Sequence, residues 1–541
     1  MNNRLAASRC VLILALLERC GANGTSGLLG NGRSQALHST LTVHGRPTAQ
    51  SGRQIAALTM ASTQAFPPEV WSHILENVPR SELRNLLGIC SMFHDIVVRR
   101  IFHAIKIYLI GGNLGTQMLN THHVDWAEDV ASQLMTMSWE ILNRICQDKQ
   151  FAKVVKSVTV IAYADGQLTI ANAMHYLPNL HTFRWIGNGP AFNTHVAEHL
   201  PASLKSLVIQ STVPYESFMH LTNVSTLHLP MPFFFPDDEE AHDALVSDPT
   251  LMEDLDYPII EVLEAVSPDL KSLRITASYV SSVPIRTFGT LTDLEIISTI
   301  GDQDELIGLD LVFRYATSLE ALTLVGYFHP DLFSFLPHSS VGYLPHLHSF
   351  RLSYEDKFYF SGNFGEDEFQ SLYGFLQGRQ LLRRLYLRIP TLRWGQASRL
   401  LFLVKDLEGL EVLGFHAGSD ILTDEHIDVV VLVLSSKLCA LHLAINWGGH
   451  NLLPLVDGIV KLSRLKFLHL YGTVSRLPIL LDDLIQEAPW LQMVGLNRAL
   501  WNIDRVSEPE KPLVKLPRWR IKFCVEEDFL SPDDAWLFKY N

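Results

Sequence analysis

Long apolar runs are missing from this chain of 541 residues. The two longest, Val11–Leu17 and Val429–Leu434, fall well short of the roughly 20 apolar residues that a membrane span needs. Basic charge is also scarce, because 43 Lys and Arg face 57 Asp and Glu, a formal net charge of −14. We therefore expect no membrane span, and no nucleic-acid binding that depends on an overall basic surface.

Cysteine pairs and the common catalytic motifs are missing as well. The six cysteines lie far apart without C-x-x-C spacing, so the sequence predicts neither a disulfide framework nor a structural zinc site. No phosphate-binding glycine loop, H-E-x-x-H or G-x-S-x-G motif occurs in a setting where it could work. We expect no catalysis, cofactor or metal ion, and a reducing compartment, the cytoplasm or the nucleus.

The first 59 residues differ from the rest, with six arginines and Glu18 as the single acid. Three interpretations stay open. The stretch is a disordered leader or gene-model extension before a working start at Met60, a targeting segment, or an ordinary disordered tail. A targeting segment would suit an organellar or secreted enzyme, and nothing else in the sequence favours that class.

Residues 66–79, FPPEVWSHILENVP, predict a short amphipathic helix. Pro67 and Pro68 suit the first helical positions, where a missing N–H costs nothing. Val70, Ile74 and Val78 then recur every four residues and form one apolar stripe. Two further short apolar helices follow, and three helices in some 40 residues cannot bury this much apolar surface alone. Some of it should therefore meet a partner or the following domain.

Residues 66–107 resemble an F-box: an L-P-P-E-like start, a hydrophobic helix, a P-x-S/D-L turn and a closing V-S-x-x-F-h-d-I-like segment. The resemblance implies a three-helix domain that docks on the Skp adaptor of a Skp–cullin–F-box ubiquitin ligase. Phe66 stands where the family usually has Leu, and Met92 where a basic residue is common. The adaptor contacts carried over by position are Pro67, Pro68, Ile74, Leu75, Val78, Leu83 and Leu86. The alternative is a helical cap on the next domain.

A hexamer of the form apolar-x-x-apolar-x-apolar recurs through the rest of the chain. Most intervals lie between 20 and 28 residues, which is the period of leucine-rich repeats. The sequence therefore predicts an α/β solenoid, a curved leucine-rich-repeat array with parallel strands on its concave face. The hexamers begin at Val155, Leu180, Leu204, Val224, Leu270, Leu291, Leu319, Leu347, Leu382, Leu410, Leu438, Leu465 and Leu491.

The residue between the last two apolar positions of each hexamer should point outward from its strand. Across the repeats this column holds three Arg and three His against one acid. We predict that it binds an acidic or phosphorylated target, because Arg pairs bidentately with carboxylate or phosphate. The alternative is a set of ordinary solvated strand residues. The predicted target-binding residues are Arg184, His228, Arg274, Arg351, Tyr386, His442 and His469.

The sequence predicts five regions: a leader at 1–59, an F-box-like domain at 60–109, a helical connector at 110–150, a repeat solenoid at 151–525 and a C-terminal tail at 526–541. The acidic insertion 231–258 is either a partner-binding lip or a divergent repeat. F-box-like helices before leucine-rich repeats imply a substrate receptor that binds a Skp-type adaptor, through it a cullin, and an unknown target protein. The alternative is an interaction scaffold outside any ligase.

Overall fold

The computed structural model describes residues 67–539 with internal gaps. Residues 1–66 and 540–541, and therefore the Arg-rich stretch 1–59, lie outside the described residues, as does the acidic insertion 231–258. The gaps are 76–77, 79–82, 84–85, 112–118, 120–123, 165–166, 188–191, 212–217, 219, 230–258, 267–268, 299–307, 329–335, 337–342, 356–363, 447–451, 473–480, 506–510, 517–520, 522–523 and 530. The chain divides into two compact units, Met1–His103 and Ala104–Asn541.

The first unit is built on two described helices, α1 (Pro68–Leu75) and α2 (Ser91–Phe102). The rings of Trp71 and Phe93 meet edge to face at 4.9 Å between centroids, which joins the two helices. Arg100 Nη2 also donates a hydrogen bond to the Ser72 carbonyl at 3.1 Å. Together these contacts close a small apolar core.

The buried side of α1 differs from the stripe that its sequence predicts. Trp71 and Leu75 are 0% and 1% exposed, whereas Val70 is 39% exposed and Ile74 only half-buried. The tryptophan ring removes more apolar surface from water than any valine or isoleucine could, so its side of the helix turns inward. The predicted Val70–Ile74–Val78 stripe therefore lies beside this core.

The second unit contains a single sheet of 16 strands in the described part of the chain, and their order along the sheet is their order in sequence. Strands β1 to β14 pair in parallel, and β15 and β16 add antiparallel at the end. They are β1 Ala104–Ile110, β2 Ser157–Tyr163, β3 Thr182–Ile186, β4 Ser206–Gln210, β5 Thr226–His228, β6 Ser272–Thr276, β7 Asp293–Ser298, β8 Ala321–Tyr327, β9 Ser349–Glu355, β10 Arg384–Arg388, β11 Val412–Ile421, β12 Ala440–Asn446, β13 Phe467–Tyr471, β14 Met493–Leu496, β15 Ala499–Ile503 and β16 Leu513–Lys515.

Helices return the chain between most of these strands. The remaining helices are α3 Val124–Gln147, α4 Lys149–Val154, α5 Gln167–Met174, α6 Thr194–Glu198, α7 Ile259–Val266, α8 Ile285–Thr290, α9 Leu309–Tyr315, α10 Glu366–Leu376, α11 Trp394–Lys405, α12 Asp424–Val433, α13 Leu453–Val460, α14 Leu481–Glu487 and α15 Pro532–Phe538. Short 3₁₀ turns occur at Ala277–Ser282 and Glu526–Asp528. In the described part of the chain, none of the helices combines the length and apolarity that crossing a bilayer requires.

The leucine-rich-repeat prediction for the solenoid is confirmed strand by strand. Each of the thirteen hexamers yields a strand that starts two residues after the first residue of the hexamer, from Ser157 after Val155 to Met493 after Leu491. Those first residues are at most 2% exposed, because they pack between the sheet and the returning helices.

The sheet begins one strand earlier than the predicted repeats. Strand β1 pairs along its whole length with β2, and residues 102–107, FHAIKI, fit the repeat hexamer although the sequence prediction begins the repeats at Val155. Helix α3 packs against β1, as the hydrogen bond from Tyr108 N to Ser138 Oγ at 2.8 Å shows. The predicted connector 110–150 therefore holds the first return helix of the sheet, and the predicted boundary at 109 moves to His103/Ala104.

Candidate functional site

One residue from each of fourteen neighbouring strands forms a row across the sheet, which we call the inner column. The strand register aligns each member with the next. All seven predicted target-binding residues lie in it. The members are Lys106, Thr159, Arg184, Val208, His228, Arg274, Glu295, Thr323, Arg351, Tyr386, Gly414, His442, His469 and Gly495.

The inner column is largely buried, although its sequence predicts side chains that point to solvent. Arg184 is half-buried. The other six predicted target-binding residues are between 1% and 9% exposed: His228, Arg274, Arg351, Tyr386, His442 and His469. Charged side chains rarely reach such burial without partners. Another part of the chain must therefore cover the column.

That cover is the C-terminal segment, residues 524–539, of which all but residue 530 (and the side chain of Glu527) are described. It comprises the 3₁₀ turn Glu526–Asp528 and the helix α15. Ser531 caps α15, because its hydroxyl accepts a hydrogen bond from Asp534 N at 3.2 Å. The sequence predicts only a tail here, whereas the structure places a folded peptide on the sheet.

Asp533 anchors the first turn of α15 to β10. Its Oδ1 accepts hydrogen bonds from Arg384 Nε at 2.8 Å and Nη2 at 2.6 Å, and its Oδ2 pairs with Arg383 Nη2. Burial alone would raise the pKa of Asp533, but the two guanidinium groups outweigh it and hold the pKa below its ordinary value. The carboxylate is therefore charged and doubly paired at neutral pH.

Arg351 of the inner column receives the other end of α15. Its guanidinium carbon lies 4.1 Å from the Tyr386 ring centroid and 4.7 Å from that of Trp536, so the cation is sandwiched between two aromatic faces. Its Nη2 donates to the Trp536 carbonyl, and to the Leu537 carbonyl at 3.3 Å. The last carbonyls of a helix lack intrahelical donors and carry partial negative charge, which a buried arginine satisfies.

A second row of residues, two positions before the inner column, points to the same face and changes character along the sheet. From β2 to β7 it is polar, and from β11 to β14 it is apolar. Leu537 packs in one buried cluster with these apolar members, while Trp536 and Phe538 lie against that cluster. The second row runs Ser157, Thr182, Ser206, Thr226, Ser272, Asp293, Ala321, Ser349, Arg384, Val412, Ala440, Phe467 and Met493.

Gly414 leaves the space that Leu537 fills. A Cβ at this position would lie 3.0 Å from Leu537 Cδ1 and closer still to the Tyr386 ring. Leu537 is fully buried. A glycine in the inner column therefore acts as a socket for an apolar side chain of the C-terminal segment.

His442 and His469 form a neutral relay at the far end of the column. His469 Nε2 donates to the Asn497 carbonyl at 2.7 Å, so its Nδ1 accepts, and His442 Nδ1 is the donor across 2.9 Å. Burial lowers the pKa of His442 well below its ordinary range, with a further contribution from His469, and burial also lowers the pKa of His469. Phe538 of the segment lies 5.7 Å from the His469 ring.

A buried ion pair occupies the middle of the column. Arg274 Nε donates to Glu295 Oε2 at 2.7 Å, and Lys539 pairs with Glu295 Oε1. Burial opposes ionisation of Glu295, but Arg274 and Lys539 outweigh it and place the pKa well below the ordinary range. The last described residue of the chain thus adds a second cation to an inner-column acid.

Beside this pair, a hydroxyl bridges an imidazole and a carboxylate. Ser272 Oγ donates to Asp293 Oδ2 at 3.2 Å and therefore accepts from His228 Nε2 at 3.1 Å. A nucleophilic serine donates to its histidine instead, so this order of hydrogen bonds does not activate Ser272.

The C-terminal segment also reaches the first strands. Asp528 pairs with Lys106 of β1, and Glu526 lies 3.9 Å from Arg184 of β3. The contacts with β1, β3 and β10 thus all lie between Glu526 and Asp533. This convergence of distant strands on one short stretch fits the curved solenoid that the sequence predicts.

One group of metal-ligand type lies at the anchor. Oxygen and sulfur atoms of Glu411, Cys439 and Asp533 fall within 4.8 Å of one another. Arg383 pairs with both carboxylates, its Nε donating to Glu411 at 2.6 Å. Burial, together with Asp533, raises the pKa of the Cys439 thiol to about 11, so the sulfur stays protonated. In this structure the group is an ion-pair cluster centred on Arg383.

The predicted adaptor contacts fall into two classes in the first unit. Pro67 and Pro68 are exposed, and Ile74, Val78 and Leu86 are half-buried at the edge of the core. Leu75 and Leu83 are 1% and 3% exposed and belong to the core itself. A partner could reach the first class directly but not the second.

Sequence reasoning missed the anchor at Asp533 and the contact between the C-terminal segment and the apolar members of the second row. Arg383 and Arg384 stand in the hexamer, but their pairing with an acid about 150 positions away has no local signal. The change of the second row from hydroxyl to apolar residues was readable from the repeats, because a solvent-facing strand position seldom stays apolar over four consecutive strands.

No protein-family model matches this chain, and no curated protein matches it. Solved structures give weak similarities. The TLR13–ssRNA13 complex has a TM-score of 0.30 and 16% identity over 63% of this chain, which spans 45% of the TLR13 chain. A leucine-rich-repeat-containing protein of Legionella pneumophila has a TM-score of 0.31 and 12% identity over 66% of this chain and 97% of its own. A leucine-rich-repeat protein of Leptospira interrogans has a TM-score of 0.24 and 12% identity over 65% and 80%. At such low scores, none of these structures informs on a partner or an activity.

Proposed function

We propose that this protein is a non-catalytic substrate receptor of a Skp–cullin–F-box ubiquitin ligase. In this proposal the first unit binds the Skp adaptor, and through it the cullin, and the inner face of the solenoid binds a target protein. The observation that carries the target-binding half is the seating of a peptide, the C-terminal segment, on the inner column. A surface that holds one peptide through charged and apolar side chains is suited to hold another.

The adaptor half of the proposal depends on the F-box resemblance and on the division of α1 into two sides. Trp71 and Leu75 hold the helix to its own unit, while Pro67, Pro68 and Ile74 stay at the surface. An amphipathic helix that keeps apolar residues at its surface suits a helix-packing partner.

The mechanism is proximity. A receptor raises the effective concentration of the target beside a conjugating enzyme and orients it, and the bound enzyme performs the ubiquitin transfer. In this scheme the chain itself contributes no reacting group.

Adaptor binding is tested by pull-down of a purified Skp adaptor with the full-length chain and an Ile74→Asp variant. We expect the wild type to retain the adaptor and the variant to lose at least about tenfold in affinity, because a buried unpaired carboxylate costs more than 1.4 kcal/mol. Ile285→Asp, at an exposed position of α8 in the second unit, is the matched control and should bind like the wild type. Equal binding by wild type and Ile74→Asp, or none by either, rejects the ligase role.

The second candidate is an interaction scaffold of the leucine-rich-repeat type without a ligase partner. The deep burial of Leu75 and Leu83 favours it, because two of the residues assigned to the adaptor serve the unit's own core. A failed pull-down together with target capture by the solenoid would select this function.

A further inference from the structure

The C-terminal segment defines the chemistry of the surface beneath it. Its two adjacent acids stand at the start of a short helix, and three large apolar residues follow. Each feature has a matching receptor feature on the sheet. The acid Asp533 meets Arg383 and Arg384, Leu537 enters the socket at Gly414, and the carbonyls at the helix end meet Arg351.

We propose that this surface is the target-binding site of the solenoid and that the C-terminal segment is its displaceable internal ligand. The target then carries an acidic–aromatic segment of the same kind, in which adjacent Asp or Glu residues at a helix start precede an aromatic–aliphatic–aromatic run. This inference deepens the proposed function and depends on its target-binding half, but not on the adaptor.

The make-up of the contact favours a ligand over a permanent part of the core. Ion pairs join the segment to the sheet at Asp533, Asp528, Lys539 and Glu526. Buried ion pairs add little net stability compared with apolar packing, but they discriminate strongly between partners. A seven-residue helix is also unstable in isolation, so α15 depends on the sheet for its fold.

The sheet residues beneath the segment are suited to a state in which the segment has left them. With the segment displaced, the guanidinium groups of Arg351, Arg383 and Arg384 would return to water beside the apolar patch of Val412 and Phe467. A basic rim around an apolar floor complements an acidic–aromatic peptide in charge and in shape. The internal ligand then raises the affinity that a target needs in order to bind, because the target must compete with a segment held at high effective concentration.

The test uses the full-length chain and a fluorescein-labelled synthetic peptide of residues 525–541. The Asp533→Lys variant places a cation against two arginines and should expel its own segment. We expect this variant to bind the peptide at least about tenfold tighter than the wild type, because a larger fraction of the sites is open. Addition of Arg351→Ala to the variant should abolish the gain, and a peptide carrying Asp533→Lys should not bind.

Hydrogen exchange on the wild type provides a second measurement that does not depend on how the variant folds. We expect the amides of α15 to exchange faster than those of β10–β13, and faster still with the unlabelled peptide in excess. If α15 exchanges only at the rate of the sheet and Asp533→Lys binds no more peptide than the wild type, the segment is a permanent part of the fold and the inference fails. If the protein dimerises and α15 protection depends on its concentration, the occupant is a second copy and the target class is wrong.

The outcomes separate this inference from the ligase proposal. Peptide binding without adaptor binding rejects the ligase role and leaves the site in place. Adaptor binding without peptide binding rejects only the acidic–aromatic site.

Discussion

Arg384 donates a hydrogen bond from Nε to Oδ1 of Asp533 at 2.8 Å, although 149 positions separate the two residues in the chain. This contact joins the last helix to the tenth strand and places the C-terminal segment inside the curve of the sheet. The column of strand side chains is therefore covered by the last helix.

The Asp533→Asn variant should loosen α15 without unfolding the solenoid. An amide accepts more weakly than a carboxylate and leaves two arginines underpaired, at a cost of about 1–2 kcal/mol. We expect hydrogen exchange of the α15 amides to accelerate by about 5- to 30-fold, with β2–β8 unchanged. Asp428→Asn, at an exposed position of α12, should change neither. Uniform acceleration across the sheet would mean that α15 is required for global stability.

The Gly414→Ala variant should destabilise the protein through overpacking. The added methyl group must displace Leu537 or the Tyr386 ring, both of which are almost fully buried, at a typical cost of about 1–3 kcal/mol. Gly395→Ala in α11 is the matched control, because nothing lies within 4 Å of its added Cβ. The control should be neutral or slightly stabilising. Urea denaturation checks both, and equal midpoints for the two variants would contradict the socket.

Stability should fall as the pH drops from 7.5 to 6. The folded-state pKa of His442 is depressed, so the unfolded chain binds its proton first and stability is lost below the unfolded value of about 6.5. A histidine that stays neutral in the folded protein lowers the free energy of unfolding by about 0.8 kcal/mol at pH 6. His442→Phe should remove that share of the pH dependence, whereas His94→Gln at an exposed position should retain it. Thermal melting at the two pH values measures the difference. A His442→Phe slope equal to that of the wild type would contradict the neutral relay.

The Arg274–Glu295 pair should show the asymmetry of buried ion pairs. Glu295→Gln leaves Arg274 buried without its carboxylate and should destabilise the protein by about 3 kcal/mol or more. The double variant Arg274→Met with Glu295→Leu removes both deeply buried charges, and the partly exposed Lys539 can return to water, so the variant should recover most of that loss. Urea unfolding of the single and double variants gives the comparison. A double variant as unstable as the single one would show that the pair itself provides net stability.

Most of the fold could be predicted from the repeat hexamers, for a physical reason. Each hexamer begins with a buried apolar residue such as Leu382 and sets a strand two residues later, so equal spacing in sequence becomes register in the sheet. The same period is sufficient to assign Arg351, Tyr386 and His442 to one column. Strand β1 was not predicted although residues 102–107 fit the hexamer, because those residues also end the F-box-like stretch. Its backbone pairing with β2 places it in the sheet.

The sequence by itself therefore determined the parallel strands, the order of the repeats and the composition of the inner column. The F-box resemblance also comes from the sequence alone, and binding of the Skp adaptor stays a prediction. Tertiary structure alone decided that α1 turns Trp71 inward and that α15 covers the column. Those outcomes depend on contacts between residues far apart in the chain, such as Asp533 with Arg384, and no local period encodes such contacts. They form because the curved sheet brings distant strands around one short segment, where buried charges must find partners.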